Sequence, residues 1–133
     1  MIVATVQDLS DRYEILSDAL DDAFGKEVVT RYHHAVPGPL ECLYGFSVRP
    51  SDDSSFSVRL ADGQKCLVLD GTPAQNGRAV MAILKALPDV DPIMVADPGG
   101  GEFVIVTPDL TADDVATQRG WRPISEIDLS VWG

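Results

Sequence analysis

The chain has 133 residues and a mass of 14.3 kDa, with 21 acidic against 10 basic side chains and a formal net charge of −11. That length fits one domain, residues 1–133, whose core needs neither a disulfide nor a structural metal; a hydrophobic content of 45% excludes disorder as the ground state. The acid excess argues against nucleic acid, whose phosphates call for clustered Lys and Arg, and no apolar run approaches the roughly 18 residues of a membrane span.

The opening residues lack the basic and apolar regions of an export signal, so the expected compartment is the cytoplasm, with Cys42 and Cys66 as reduced, buried thiols. The first expected element is a helix from Thr5 to Phe24. Its apolar residues Val6, Leu9, Tyr13, Leu16, Leu20 and Phe24 fall within about an 80° sector at helical periodicity. Thr5 and Asp8 have the spacing of a capping box, and Gly25 supplies the stop.

Strand patterns follow. Glu27 to Val36 alternates, with Val28, Thr30, Tyr32, His34 and Val36 on one face. Beyond Pro37-Gly38-Pro39, the run Glu41 to Arg49 sets Cys42, Tyr44, Phe46 and Val48 together. Phe56 to Leu60 and Lys65 to Leu69 flank the turn Asp62-Gly63. Thr72 and Pro73 then open a second helix with a stripe of Val80, Ile83, Leu84 and Leu87, ended by Pro88. Ile93 to Ala96 and Phe103 to Thr107 read as a hairpin around three glycines. Thr111 and Asp114 cap a third helix running to Gly120, and Trp121 to Leu129 holds a last strand. The order α-β-β-β-β-α-β-β-α-β, with short turns, predicts an α+β domain. A single, mostly antiparallel sheet carries the N-terminal helix and two others.

Motifs for chemistry fail on inspection. Leu67-Val68-Leu69-Asp70-Gly71-Thr72 resembles the Asp-x-Asp-Gly-Thr signature of haloacid-dehalogenase-like phosphatases, but Val68 stands where the nucleophile belongs. Asp70-Gly71-Thr72 therefore reads as a strand-to-helix turn. The glycines after Pro98 lead into a strand pattern, not into the helix of a phosphate loop. His33 and His34 are adjacent, so on a strand they point to opposite faces and cannot share a metal. The sequence accordingly calls for no cofactor, no metal and no catalytic group.

What remains is charge. The expected first helix carries six acids against Arg12, more than pairing along a helix can use. Such a run is ordinarily a solvated face; the alternative is a docking surface for a cation-rich partner. On that alternative the surface is Asp8, Asp11, Asp18 and Asp22 around the apolar Ile15, extended by Asp113 and Asp114 of the third helix. The functional expectation is a non-catalytic binding protein for a basic partner, most concretely an immunity protein or antitoxin for a bacterial nuclease or other nucleotide-directed toxin. A secretion chaperone is close in class and calls for an exposed patch of Tyr32, Tyr44 and Phe46. A small enzyme or ligand-binding domain calls instead for a pocket where Tyr32, His34, Tyr44 and Asp70 converge. Nothing in the pattern distinguishes a monomer from a dimer.

Overall fold

A computed structural model gives the fold of residues 1–33, 44–61 and 63–132. The strands are β1 (Ile2–Thr5), β2 (Val29–His33), β3 (Tyr44–Val48), β4 (Phe56–Leu60), β5 (Cys66–Leu69), β6 (Ile93–Asp97), β7 (Glu102–Ile105) and β8 (Arg122–Pro123). They form one antiparallel sheet in the order β2-β3-β4-β5-β1-β6-β7-β8. Helices α1 (Tyr13–Phe24), α2 (Pro73–Ala86) and α3 (Ala112–Thr117) cover one face; a short α4 (Leu129–Trp132) ends the described chain on the other. The domain is α+β, as the pattern predicts.

The largest departure lies at the N-terminus. Residues 2–5 form a strand where a helix start is expected, and that strand is central: Val3 pairs with Leu67 of β5 on one side and Val95 of β6 on the other. Because β1 runs antiparallel to both neighbours, β5 and β6 run parallel, joined by α2 as the crossover. The β-branched residues Ile2, Val3 and Thr5 suit a strand better than a helix. Thr5 is buried, with its hydroxyl against the carbonyls of Gln7 and Lys65 instead of capping anything. Val6 and Leu9 match the helical period by coincidence, since Leu9 sits in a turn whose N–H donates to Gln64.

The helix-covered face carries the core. Tyr44, Phe46, Val48, Phe56, Val58, Leu60, Leu67, Leu69 and Val95 are buried there against Leu16 and Leu20 of α1 and Val80 and Ile83 of α2. Each such side chain contributes about 1.5–3 kcal/mol by leaving water. In β2 the covered face is Val29 and Arg31, because Arg31 pairs with Phe46 while Tyr32 pairs with Gly45. Thr30 and Tyr32 thus lie on the face away from the helices, whereas Val28 belongs to the 3-10 turn Lys26–Val28 and packs against the main core; His34 and Val36 fall outside the described residues. On the far side of the sheet, Ile124, Ile127 and Trp132 pack over Met94, Ala96 and Phe103. The final strand is only Arg122–Pro123, followed by a 3-10 turn at Ile124–Glu126, since Pro123 has no N–H to continue a ladder.

Both predicted caps of the later helices form. Thr72 accepts the Gln75 N–H while the Gln75 side chain accepts the Thr72 N–H, and Thr111 with Asp114 repeats the arrangement. Helix α3 ends at Gln118, which adopts the left-handed conformation, two residues before Gly120. A Cβ on Gly77 of α2 would lie 2.5 Å from the carbonyl oxygen of Ala112 at the start of α3. Gly77→Ala, which stabilises an isolated helix by about 1 kcal/mol, should therefore destabilise this protein by about 1–3 kcal/mol. Urea unfolding checks the reversed sign.

Candidate functional site

Helix α1 has an inner and an outer side, and each is set by identifiable contacts. Inside, Leu16 and Leu20 are buried and Tyr13 packs on the sheet, its ring stacked on Phe46 at 5.6 Å and edge-on to Tyr44 at 5.5 Å. The Tyr44 hydroxyl donates to the Leu9 carbonyl at 2.7 Å and so fixes the turn that leads into the helix. Gly25, at φ +104°, ends it, with its N–H on the Asp21 carbonyl.

Three arginines fasten the helix to its surroundings. Arg12 binds Asp89, just beyond α2, through two hydrogen bonds of 3.0 and 2.9 Å. Arg31 reaches up from β2 to donate to Ser17 and Asp21. Arg78 of α2 donates to the Ala23 carbonyl and lies 4.7 Å from the centre of the Phe24 ring. The first and third of these show that α1 and α2 run antiparallel.

The outer side holds the predicted acids. Asp11, Ile15, Asp18 and Asp22 are all exposed, Ile15 to 44%, and their spacing of 4, 3 and 4 aligns them in one stripe. Asp11 lies 3.7 Å from Arg12 and is 83% exposed; among the described residues no ion pair reaches Asp18 or Asp22. Asp21 is the acid that the fold uses, being only 15% exposed beside Arg31. Asp22 stands in the last turn, where a negative charge opposes the helix dipole and costs about 0.3–1 kcal/mol. Helix stability therefore gives no reason for its presence.

Asp8 is exposed but precedes the helix. It accepts the Ser10 N–H at 2.7 Å, and hydrogen bonding from Ser10 holds its carboxyl below the usual range. Asp113 and Asp114 do not extend the stripe. α3 packs against α2, which lies between it and α1, and Asp114 is occupied as the cap partner of Thr111 at 3.0 Å.

The stripe instead borders a groove of about 610 Å³ between α1 and α2. Ile15, Asp18 and Asp22 form one rim, Arg78, Met81 and Lys85 the other, and Ala19, Ala23, Ala82 and Ala86 the floor. The sequence reading missed this second rim because Arg78 and Lys85 are far from α1 in the chain. A periodicity check on α2 would have found them, since Arg78, Met81 and Lys85 recur at helical spacing opposite Val80 and Ile83.

The described members of the alternative pocket stay apart. Tyr44 is fully buried beneath α1, whereas Tyr32 belongs to the opposite face of the sheet. Asp70 accepts the Ser57 N–H at 2.6 Å and its hydroxyl at 3.0 Å. Asp70 lines a cleft of about 250 Å³ with Asn76, Asp97 and Gln118. The polar groups there bind one another: Asn76 bridges the N–H and carbonyl of Gly71, and Gln118 donates to Asp97 at 2.6 Å. That bond keeps the Asp97 carboxyl below its ordinary value. His34 and Cys42 lie outside the described residues. Phe46 is buried with Tyr44, so no exposed patch of Tyr32, Tyr44 and Phe46 exists. No group of three or more metal-ligating side chains converges among the described residues, and no helix there is long and apolar enough to cross a membrane.

Arg31→Met should cost about 1–3 kcal/mol, because it strands the Asp21 charge in a half-buried site. Arg31→Met with Asp21→Leu should recover most of that loss, as urea unfolding of both variants will show. Burial on the far sheet face pushes the Cys66 thiol up to about 11. Its alkylation near pH 8, followed in a Cys42→Ser background, should accordingly run on the order of a hundredfold slower than that of an unhindered thiol. Comparison with known proteins returns no match: no family model, no curated protein and no solved structure is similar to this chain.

Proposed function

We propose that this chain is a non-catalytic binding domain that docks a basic protein on the outer stripe of α1. In its most concrete form it is an immunity protein or antitoxin that inhibits a toxin acting on nucleic acid or nucleotides. The single observation that carries the reading is the division of labour among the acids of α1. Asp21 is turned inward to Arg31, whereas Asp11, Asp18 and Asp22 flank the exposed Ile15 and leave their carboxylates to solvent. A toxin that grips polyanions presents Lys and Arg around its substrate site. Carboxylates arrayed on a rigid helix occupy the positions of phosphates and block entry, while Ile15 gives the contact a dehydrated centre.

Charge also acts before contact. A net −11 attracts a cationic protein over a range of about one Debye length, so association should be fast and should slow steeply with added salt. Helix α1 is held by the sheet on one side and by α2 on the other, so the stripe is organised before the partner arrives. That lowers the entropy lost on binding.

The test is capture from the source organism at low and at high salt, followed by kinetics with the recovered basic protein. The wild-type chain should retain that protein at low salt and suppress its catalytic activity. Charge reversal of Asp11, Asp18 and Asp22 to Lys should slow association by at least about tenfold and flatten its salt dependence. Equal rates for the two chains exclude this stripe as the docking surface.

A further inference from the structure

We propose that the groove between α1 and α2 is a self-complementary interface that takes a second copy of this chain, related by a two-fold axis lying along the groove. This goes beyond the docking of a basic protein and does not depend on it. The groove differs from the rest of the exterior in its charge. One rim carries Asp18 and Asp22, the other Arg78 and Lys85, so a chain of net −11 is locally balanced here. The exposed Ile15 stands on the acidic rim beside Asp18, and the half-buried Met81 stands on the basic rim between Arg78 and Lys85.

Geometry selects the occupant. A two-fold axis lying along the groove, parallel to the two helices, turns the copies face to face and exchanges the rims, so the acidic rim of each copy lies over the basic rim of the other. The antiparallel helices fix the levels. Arg78 sits beside Ala23 and Phe24 at the end of α1, and Arg12 meets Asp89 beyond the end of α2. Rotation about that axis preserves each level, so Asp22 faces the second copy's Arg78 and Asp18 faces its Lys85, twice over. A uniformly cationic partner helix would gain from Asp18 and Asp22 but would be repelled by Arg78 and Lys85. None of the described salt bridges joins the two rims within one chain. Arg78 holds the Ala23 carbonyl and the Phe24 ring, but no described salt bridge neutralises any of the four charges within the chain. Long-range repulsion between two chains of this charge opposes the encounter, so the dimer is concentration-dependent and not obligate. Asp22 serves both contacts, and a second copy and a basic protein exclude one another.

Sedimentation of the full chain over a wide concentration range tests this. The wild type should shift towards twice 14.3 kDa as concentration rises. Asp18→Lys and Lys85→Glu alter exposed side chains and should each weaken self-association at least tenfold, by setting like charges against each other at both symmetry-related contacts. Mixed in equal amounts, the two variants should restore a one-to-one dimer about as tight as the wild type, since every reversed charge then meets its opposite. A wild type that stays monomeric throughout, variants that dimerise unchanged, or a mixture that fails to pair would each overturn the proposal. Lys85 is outside the α1 stripe, so Lys85→Glu leaves capture of a basic protein intact and keeps the two readings separable.

Discussion

The structure depends on how α1 is held down. Apolar burial of Leu16 and Leu20 supplies most of the attraction, but burial alone does not fix rotation about the helix axis. Three arginines do so from three directions: Arg31 from β2 beneath, Arg78 from α2 alongside, and Arg12 outward to Asp89. Their planar donor groups are directional, and each finds its acceptor in only one orientation of the helix. The side of α1 that reaches water is therefore decided by contacts on the other sides.

That constraint explains why the acids fall into two groups with different physics. Asp21 is partly desolvated and needs Arg31, so the pair specifies a geometry more than it adds stability. Asp11, Asp18 and Asp22 remain in water, where each carboxylate costs little singly but repels its neighbours along the stripe. Asp22 also opposes the helix dipole. A sequence selected only for folding would place a lysine there, and Lys85 occupies the equivalent last turn of α2. The two helices thus end with opposite charges on facing rims of one groove, one against the dipole and one with it.

The sheet shows a similar economy of placement. Inserting β1 between β5 and β6 lets one crossover helix span a gap that would otherwise leave two unpaired edges in the centre of the sheet. The same strand leaves Ile2 and Ala4 on the face away from α1 and α2, beside Cys66 and Val68. The C-terminal segment covers the adjoining part of that face through Ile124, Ile127 and Trp132. Burial there also keeps the Cys66 thiol protonated, which fits a packing role for this side chain.

Local chemistry was enough to find the elements whose signals are local. Thr72-Pro73 and the Thr111–Asp114 box announce helix starts because capping involves residues within one turn. Phe56, Val58 and Leu60 alternate because only one side of their strand is covered. The acid stripe was equally legible, since Asp11, Ile15, Asp18 and Asp22 share a helix and periodicity places them together. Three things were decided only by the tertiary structure. Residues 2–5 became a strand because β5 and β6 offered hydrogen bonds on both edges, a reward invisible to a window of neighbours. Asp21 was separated from Asp22 by Arg31, which the chain brings to α1 from another element. The lateral order of three helices sets Asp113 and Asp114 apart from the α1 stripe and brings Arg78 and Lys85 beside it. Periodicity tells which side of a helix is wet; which other helix lies beside it is fixed by long-range packing alone.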